Sequence, residues 1–301
     1  NNRLTGKAKP KPKPNPKALT IPPYYSVSQL HHIKSLLNDR KLQLRQYCES
    51  VKGKSEHLED VLSKLIVDTE HGIAWCPIYK AASSTWMKKF AALGGGLTDT
   101  TIQLIRKDIL QVNNIVKQLY PREPDITKAS QKLNQTKKFL IVRHPFERLV
   151  SAYRDKLESI KGREYYYKRF GRHIAHRYRR FREGNDTKIE PTFRQFLQFI
   201  IDEQYFDEHW APFFDSCQPC SISYDYILKF ETLERDQHLL IRDLDLDRFL
   251  PAESDLRNEN PRGTTTPALV EQYKSQVPKE LLHKVYKVYQ HDFQAFSYKT
   301  L

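Results

Sequence analysis

Two segments of this 301-residue chain bring together residue types that can hold an anion and polarise it. In Lys80-Ala81-Ala82-Ser83-Ser84-Thr85 a lysine leads into small residues and then hydroxyls. Small side chains let backbone N–H groups approach an oxyanion, a helix start adds the positive end of its dipole, and Ser84 and Thr85 add hydroxyl donors. This is not a Walker loop, because the GxxxxGK[ST] spacing is absent and the lysine precedes the loop instead of closing it. An ordinary strand-to-helix turn with a Ser/Thr cap accounts for the same residues. The second segment is IVRHPFERLVSAYRDKLE (141–158). There Arg143 stands at the end of a buried-type strand and Ser151 follows two helical turns later. A guanidinium and a hydroxyl so placed can grip one phosphate from two sides. A solvated helix face is the competing reading for Arg148, Arg154 and Lys156, and it is the one adopted for Arg148.

The elements that must position these residues alternate between strand and helix. GIAWCPIY (72–79) is a short apolar β-prone run followed by the helix-capable TWMKKFAAL, which Gly94-Gly95-Gly96 closes. KKFLIV (137–142) repeats the pattern and leads into a helical SAYRDKLESI. A third strand falls within 222–230, and helices are expected over about 28–66, 191–206 and 267–298. Such alternation predicts an α/β fold with a central parallel sheet flanked by helices. Ligands of such sheets bind beyond the strand C-terminal ends, where both segments lie.

Charge narrows the partner. The net charge is +14, from 50 Lys+Arg against 36 Asp+Glu, and it sits in two blocks with the remaining residues balanced. Residues 1–17 hold six cations and no acid in a Lys/Pro alternation that cannot bury anything. Residues 1–22 therefore read as a flexible stem segment ahead of a domain over 23–301. The stretch 161–182 holds nine Lys/Arg against Glu164 alone, interleaved with six aromatic residues. Arg172, His176, Arg179 and Arg180 are spaced to line one helical face. The stretch reads as a groove for an anionic polysaccharide with aromatic rings against sugar faces. No recognised nucleic-acid motif accompanies it, so nucleic acid is the disfavoured partner. No run approaches the roughly 20 apolar residues of a membrane span.

Together the two anion-holding segments resemble the 5′-phosphosulfate and 3′-phosphate motifs of the Golgi carbohydrate sulfotransferases of the chondroitin/dermatan 4-O-sulfotransferase and HNK-1 sulfotransferase type. The resemblance continues through EHWAPFFDSCQPCSISYDYILKFETL (208–233) and YKVYQHDFQAFSY (286–298), so four ordered blocks cover roughly 72–298. It implies a P-loop-like sulfotransferase fold and transfer of a sulfuryl group from 3′-phosphoadenosine 5′-phosphosulfate (PAPS) to a sugar hydroxyl. It also implies a Golgi-lumenal, type II membrane protein anchored by a segment outside this chain. By position, Lys80, Ala82, Ser83, Ser84, Thr85 and Trp86 fall on the 5′ motif, and Arg143 and Ser151 on the 3′ motif. Tyr79 stands where the family usually has proline, and His144 where an acidic residue is common. A catalytically inactive glycan-binding relative is the alternative these departures motivate.

In-line sulfuryl transfer needs a cation at the transferring group and a base for the acceptor hydroxyl. Lys80 fits the first role. Among eleven histidines, His209 of the EHW block is the leading base, with His144 second. Trp210 beside it is placed to floor a sugar site, and Arg262 and Gly263 belong to a late polar loop that could close over the nucleotide. No metal is called for, since neither H-E-x-x-H nor a second CxxC is present. The four cysteines leave three complete pairings open: Cys217 and Cys220 could pair together or either could reach Cys48, with Cys76 read as a free core thiol. Asn134 and Asn185 begin glycosylation sequons.

Overall fold

The computed structural model describes residues 25–51, 58–179, 189–250 and 263–300. The stem at 1–22, Arg180, Arg262 and Asn185 lie outside the described residues. Ser26 starts helix α1 (Val27–Ser50) with a capping box: its hydroxyl accepts the N–H of Gln29, whose side chain accepts the N–H of Ser26 in return. Leu30, Ile33 and Leu37 recur at helical spacing and are buried against Leu239. The helical expectation for 28–66 ends early. After a short helix at Leu58–Leu62 the chain extends into β1 (Ile66–Asp68), three residues that are too few for a period-two pattern to register.

β2 (Ile73–Cys76) leads into α2 (Ser83–Leu93), and β3 (Lys137–Val142) into α3 (Pro145–Lys156). Then follow α4 (Arg172–Tyr178), α5 (Phe193–Glu203), the short α6 (Phe213–Cys217) and β4 (Tyr226–Lys229). The chain closes with α7 (Leu233–Asp243), α8 (Pro267–Ser275), α9 (Lys279–Val288) and α10 (Gln290–Ala295). The sheet order is β1-β2-β3-β4. β2, β3 and β4 are parallel, as expected, with Trp75 opposite Phe139 and Phe139 opposite Tyr226. The edge strand β1 adds an antiparallel pair, so the sheet is mixed. Gly72, at a φ of +66°, makes the β1–β2 turn in the left-handed region that glycine enters without strain.

Two large hydrophobic cores form among the described residues, besides the small cluster of α1 with Leu239. The first surrounds the sheet, where Trp75 stacks on Phe90 and Phe139 with ring centroids 5.7 and 5.9 Å apart. The second is built from helices, with Phe146, Val150, Phe196, Trp210, Tyr289 and Phe293 among its buried members. α3 leaves the end of β3 and buries itself in the second core, so it joins the two. Disulfides tie Cys76 to Cys217 and Cys48 to Cys220. Cys76 is therefore not the free thiol expected of it. The last residue of β2 abuts α6 with Cα atoms 5.9 Å apart, within bridging distance. The neighbours Cys217 and Cys220 bond to different partners, so one turn is fastened both to β2 and to α1.

Candidate active site

The turn after β2 takes its shape from two non-glycine residues in left-handed conformation, Lys80 (φ 70°) and Ala82 (φ 61°). Each costs on the order of 1–2 kcal/mol, strain that accumulates at functional turns. No side chain caps α2 at Ala82, which leaves the first-turn N–H groups of Ser83, Ser84 and Thr85 without intrahelical acceptors. Ser84 is exposed and Thr85 half-buried there, while Ser83 is buried. Trp86 does not belong to this surface. Its ring is buried against Phe139 at 4.5 Å, so it anchors α2 to the sheet.

Three cations hold the turn, Lys80 half-buried and Arg143 and Arg148 buried. Lys80 Nζ lies 2.9 Å from Asp155 Oδ2 of α3. Arg143 at the end of β3 donates from Nη1 to the Lys80 carbonyl (3.0 Å), and its guanidinium sits 4.2 Å from the Phe230 ring. Arg148 corrects the reading of a solvated face. It is fully buried and donates to the Tyr79 carbonyl (2.8 Å), the Ala211 carbonyl (2.7 Å) and the Glu208 carbonyl (3.3 Å). One guanidinium thus staples the Lys80 turn to the loop that carries His209. The physical reason is that α3 is buried on nearly all sides, including Ser151 and Arg154, so its polar residues have no solvated face to occupy. Arg154 likewise turns inward, to the hydroxyl of Thr265 at 3.2 Å. This ties the loop containing the exposed, left-handed Gly263 to the Ser151 helix.

His209 meets the turn directly. Its ring packs on Tyr79 at 4.8 Å and on Tyr166 at 5.5 Å. Nδ1 is 2.6 Å from Asp207 Oδ1, which also accepts the His209 backbone N–H. That bond assigns the proton to Nδ1 and leaves Nε2 as the acceptor. Burial holds the His209 pKa below the ordinary histidine value, against the opposing hydrogen bond of Asp207. His209 is therefore neutral near neutral pH, the state a base requires. For Asp207, burial acts upward, but the hydrogen bonds from His209 prevail and keep the carboxyl low, assisted by the charges of His209 and Arg169. His144, the second candidate base, is occupied elsewhere. Its Nε2 is 3.2 Å from the Lys299 carbonyl and its ring packs on Phe293 and Tyr298.

Asp155 is the counter-ion of the site. Besides Lys80, its carboxylate takes Lys156 Nζ at 3.2 Å and Arg163 Nη2 at 2.8 Å. Burial would raise its pKa, but the charges of Lys80 and Lys156 overcome this and hold it well below the carboxylate range. On Lys80 burial dominates, lowering the pKa against the stabilising charge of Asp155. Trp210 does not floor a sugar site. It is fully buried, packs on Phe170 at 5.0 Å, and donates its indole N–H to the Tyr205 carbonyl (3.1 Å). On α4, Arg172 and His176 are exposed one helical turn apart, as their spacing predicts. Arg179 has left the helix and donates to the Glu190 carbonyl.

An uncapped helix start, a lysine held by a single carboxylate and a neutral histidine in ring contact make a site for anion transfer. The profile of the sulfotransferase family matches residues 63–299, the span that contains every one of these groups. The chain belongs to the sulfotransferase family. It is similar to carbohydrate sulfotransferase 12 of Xenopus laevis, 32% identical over 86% of this chain and 68% of that one. Carbohydrate sulfotransferase 11 of Rattus norvegicus is 31% identical over 79% and 68%. Carbohydrate sulfotransferase 14 of Danio rerio is 30% identical over 79% and 63%. No solved structure gives a significant match. Membership makes this sulfotransferase a user of a sulfonate donor. No helix among its described residues is long and apolar enough to cross a membrane.

Sequence reasoning missed Asp155, Asp207 and the role of Arg148. Asp155 left a trace, as the lone acid between Arg154 and Lys156. Asp207 left one too, two residues before a histidine in a short loop. Arg148 left none, because a helix buried all round shows no polar face to interpret.

Proposed function

We propose that this sulfotransferase moves a sulfuryl group from PAPS to a hydroxyl of a glycosaminoglycan-type carbohydrate, with chondroitin/dermatan 4-O-sulfation as the reaction. The Golgi lumen is the proposed setting, with membrane attachment through an N-terminal anchor outside these 301 residues. The observation that carries the reading is the stapling of the Lys80 turn to the His209 loop by Arg148, with Tyr79 and His209 in ring contact at 4.8 Å. A donor cradle and a proton acceptor held in one rigid unit are what transfer to a hydroxyl requires.

PAPS, when bound, supplies the activated sulfuryl group and a nucleotide leaving group. The residues fit it on three counts: the free first-turn amides of α2, the small side chains of Ala81 and Ala82 beside them, and a cation at the entrance. Ser83, Ser84 and Thr85 with those amides hold the 5′ end, and Lys80 stabilises charge that builds on the departing oxygen. Arg143 and Ser151 serve the 3′-phosphate, Arg143 also bracing the Lys80 carbonyl. The Gly263 loop, tethered to α3 through Arg154, serves the nucleotide, and Arg262, outside the described residues, is assigned to it by sequence position alone. His209 Nε2 takes the proton of the acceptor hydroxyl while Asp207 stabilises the imidazolium that forms. The basic stretch with Arg172, His176, Arg179 and Arg180 draws in the anionic chain.

The test is transfer of labelled sulfate from PAPS to a panel of desulfated glycosaminoglycans, followed by disaccharide analysis. We expect 4-O-sulfated N-acetylgalactosamine as the product, with Lys80→Ala slowing turnover about 10²–10³-fold. The absence of transfer to every glycan, together with no binding of adenosine 3′,5′-bisphosphate, overturns the reading.

A further inference from the structure

The two exposed large aromatic side chains among the described residues are Tyr165 (60% exposed) and Tyr205 (50%). They are 40 positions apart in sequence, yet a single arginine joins them. Arg169 donates from Nη1 to the Tyr165 hydroxyl (2.5 Å) and from Nη2 to the Tyr205 hydroxyl (3.3 Å). The guanidinium lies 5.9 Å from the Tyr165 ring and 5.1 Å from that of Phe170. Phe170 is buried and packs on Tyr205 at 5.7 Å and on Trp210 at 5.0 Å. Trp210 in turn holds the Tyr205 carbonyl. Two rings and a cation are therefore kept at the surface by a rigid base, although holding long side chains in one geometry costs conformational entropy.

Several neighbouring side chains meet carboxylates, whereas Arg169, like the exposed Lys168 and Arg172, forms no ion pair among the described residues. His173 and Arg177 both meet Glu203, at 2.7 and 3.4 Å, and Arg163 meets Asp155. The hydrogen-bond partners of Arg169 are phenol hydroxyls, so its donors meet no carboxylate directly and its charge reaches Asp207 only at longer range. The cluster also adjoins the proposed base. Tyr165 packs edge-on against Tyr166 at 5.3 Å, and the Tyr166 hydroxyl lies 3.3 Å from His209 Nδ1.

We infer that Tyr165, Arg169 and Tyr205 form an acceptor subsite for an anionic sugar, next to the sugar whose hydroxyl meets His209. The tyrosine rings take the apolar C–H face of the sugar, and the guanidinium takes its carboxylate through charge-assisted hydrogen bonds. In a glycan not yet sulfated, the carboxylate of a uronic acid is the anion available. This inference rests on the carbohydrate-acceptor reading above and moves the sugar-contacting role from Trp210 to the tyrosine whose backbone Trp210 holds.

The experiment measures binding of a desulfated chondroitin hexasaccharide and of its carboxyl-reduced, neutral counterpart by calorimetry, with adenosine 3′,5′-bisphosphate present. Arg169→Ala is expected to weaken the carboxylated probe about tenfold or more while leaving the reduced probe within about twofold. Tyr205→Ala is expected to weaken both, and neither variant alters affinity for the nucleotide. For Arg169→Ala, equal losses on the two probes or an unchanged affinity for the carboxylated one would refute the subsite, as would no binding of the carboxylated probe by the unmodified protein. Arg169-dependent binding without sulfate transfer refutes the catalytic reading alone. Sulfate transfer with a KM indifferent to Arg169 refutes the subsite alone.

Discussion

The Lys80 turn and the basic stretch are both rich in cations, but the two regions use them in opposite ways. Around the turn, Lys80, Arg143 and Arg148 are largely withdrawn from solvent and engaged with Asp155, a backbone carbonyl, and three backbone carbonyls respectively. Along 161–179, Arg169, Arg172 and His176 face solvent. A buried cation fixes geometry, because its desolvation is tolerable only where partners surround it. An exposed one sets a field and a surface for a charged polymer. Net charge sums the two and distinguishes neither, so the +14 of the chain says less than its distribution.

The contrast breaks most visibly at Arg148. Arg148→Met keeps the length of the side chain but leaves three carbonyls without their donor. It should cost about 3–5 kcal/mol of stability, read as the shift in a denaturation midpoint, and activity should fall with it. Arg169→Ala on the other side should leave that midpoint within about 0.5 kcal/mol. A small effect of Arg148→Met would mean the Lys80 turn is held by its disulfide-anchored strand alone, and the two regions would differ less than their burial implies.

Arg148 also marks how far the sequence could be understood without the structure. The parallel strands were legible because each is a short, continuous apolar run, and β3 is fully buried over its last four residues. The Lys80 turn and His209 were legible as local motifs. What could not be read was the wiring between them, since the partners of Arg148 lie 60 to 69 positions away and are backbone atoms, which carry no residue signature. Cys76 failed for a related reason. A strand-end thiol looks like core until α6, far along the chain, is seen to abut it. Trp210 failed because an aromatic residue beside a histidine reads equally well as sugar platform or core, and only packing against Phe170 and Phe196 decides.

The Asp207–His209 pair separates rigid chemistry from surface attraction on a different scale. With neutral His209 as the proposed base, kcat/KM should fall as pH drops through its pKa, which burial holds below the ordinary histidine value. The Asp207 hydrogen bond and charge push that pKa upward. Asp207→Asn removes the charge, so the acid-side fall should move to lower pH. The plateau should drop about tenfold, because the base is weaker and its tautomer less firmly set. Acceptor affinity should stay unchanged. An acid limb that does not move, or that moves upward, would assign proton transfer to another group.

The smallest effect belongs to Arg172, and its size is the sharpest measure of what the exposed face does. It stands on α4 in solvent, so its attraction for a polyanion is a screened, high-dielectric interaction. Arg172→Ala should raise the acceptor KM about two- to threefold at low ionic strength, and the increase should vanish near 0.5 M salt, where the screening length is only about 4 Å. Arg169, fixed between two hydroxyls, should keep part of its effect under the same salt, since direct hydrogen bonds to a carboxylate are screened far less than the field of a free side chain. If both arginines lose their effect together as salt rises, the stretch is a uniform electrostatic funnel. If only Arg172 does, the face contains one built contact within a wider region of attraction, and the acceptor chain is placed by the first and gathered by the second.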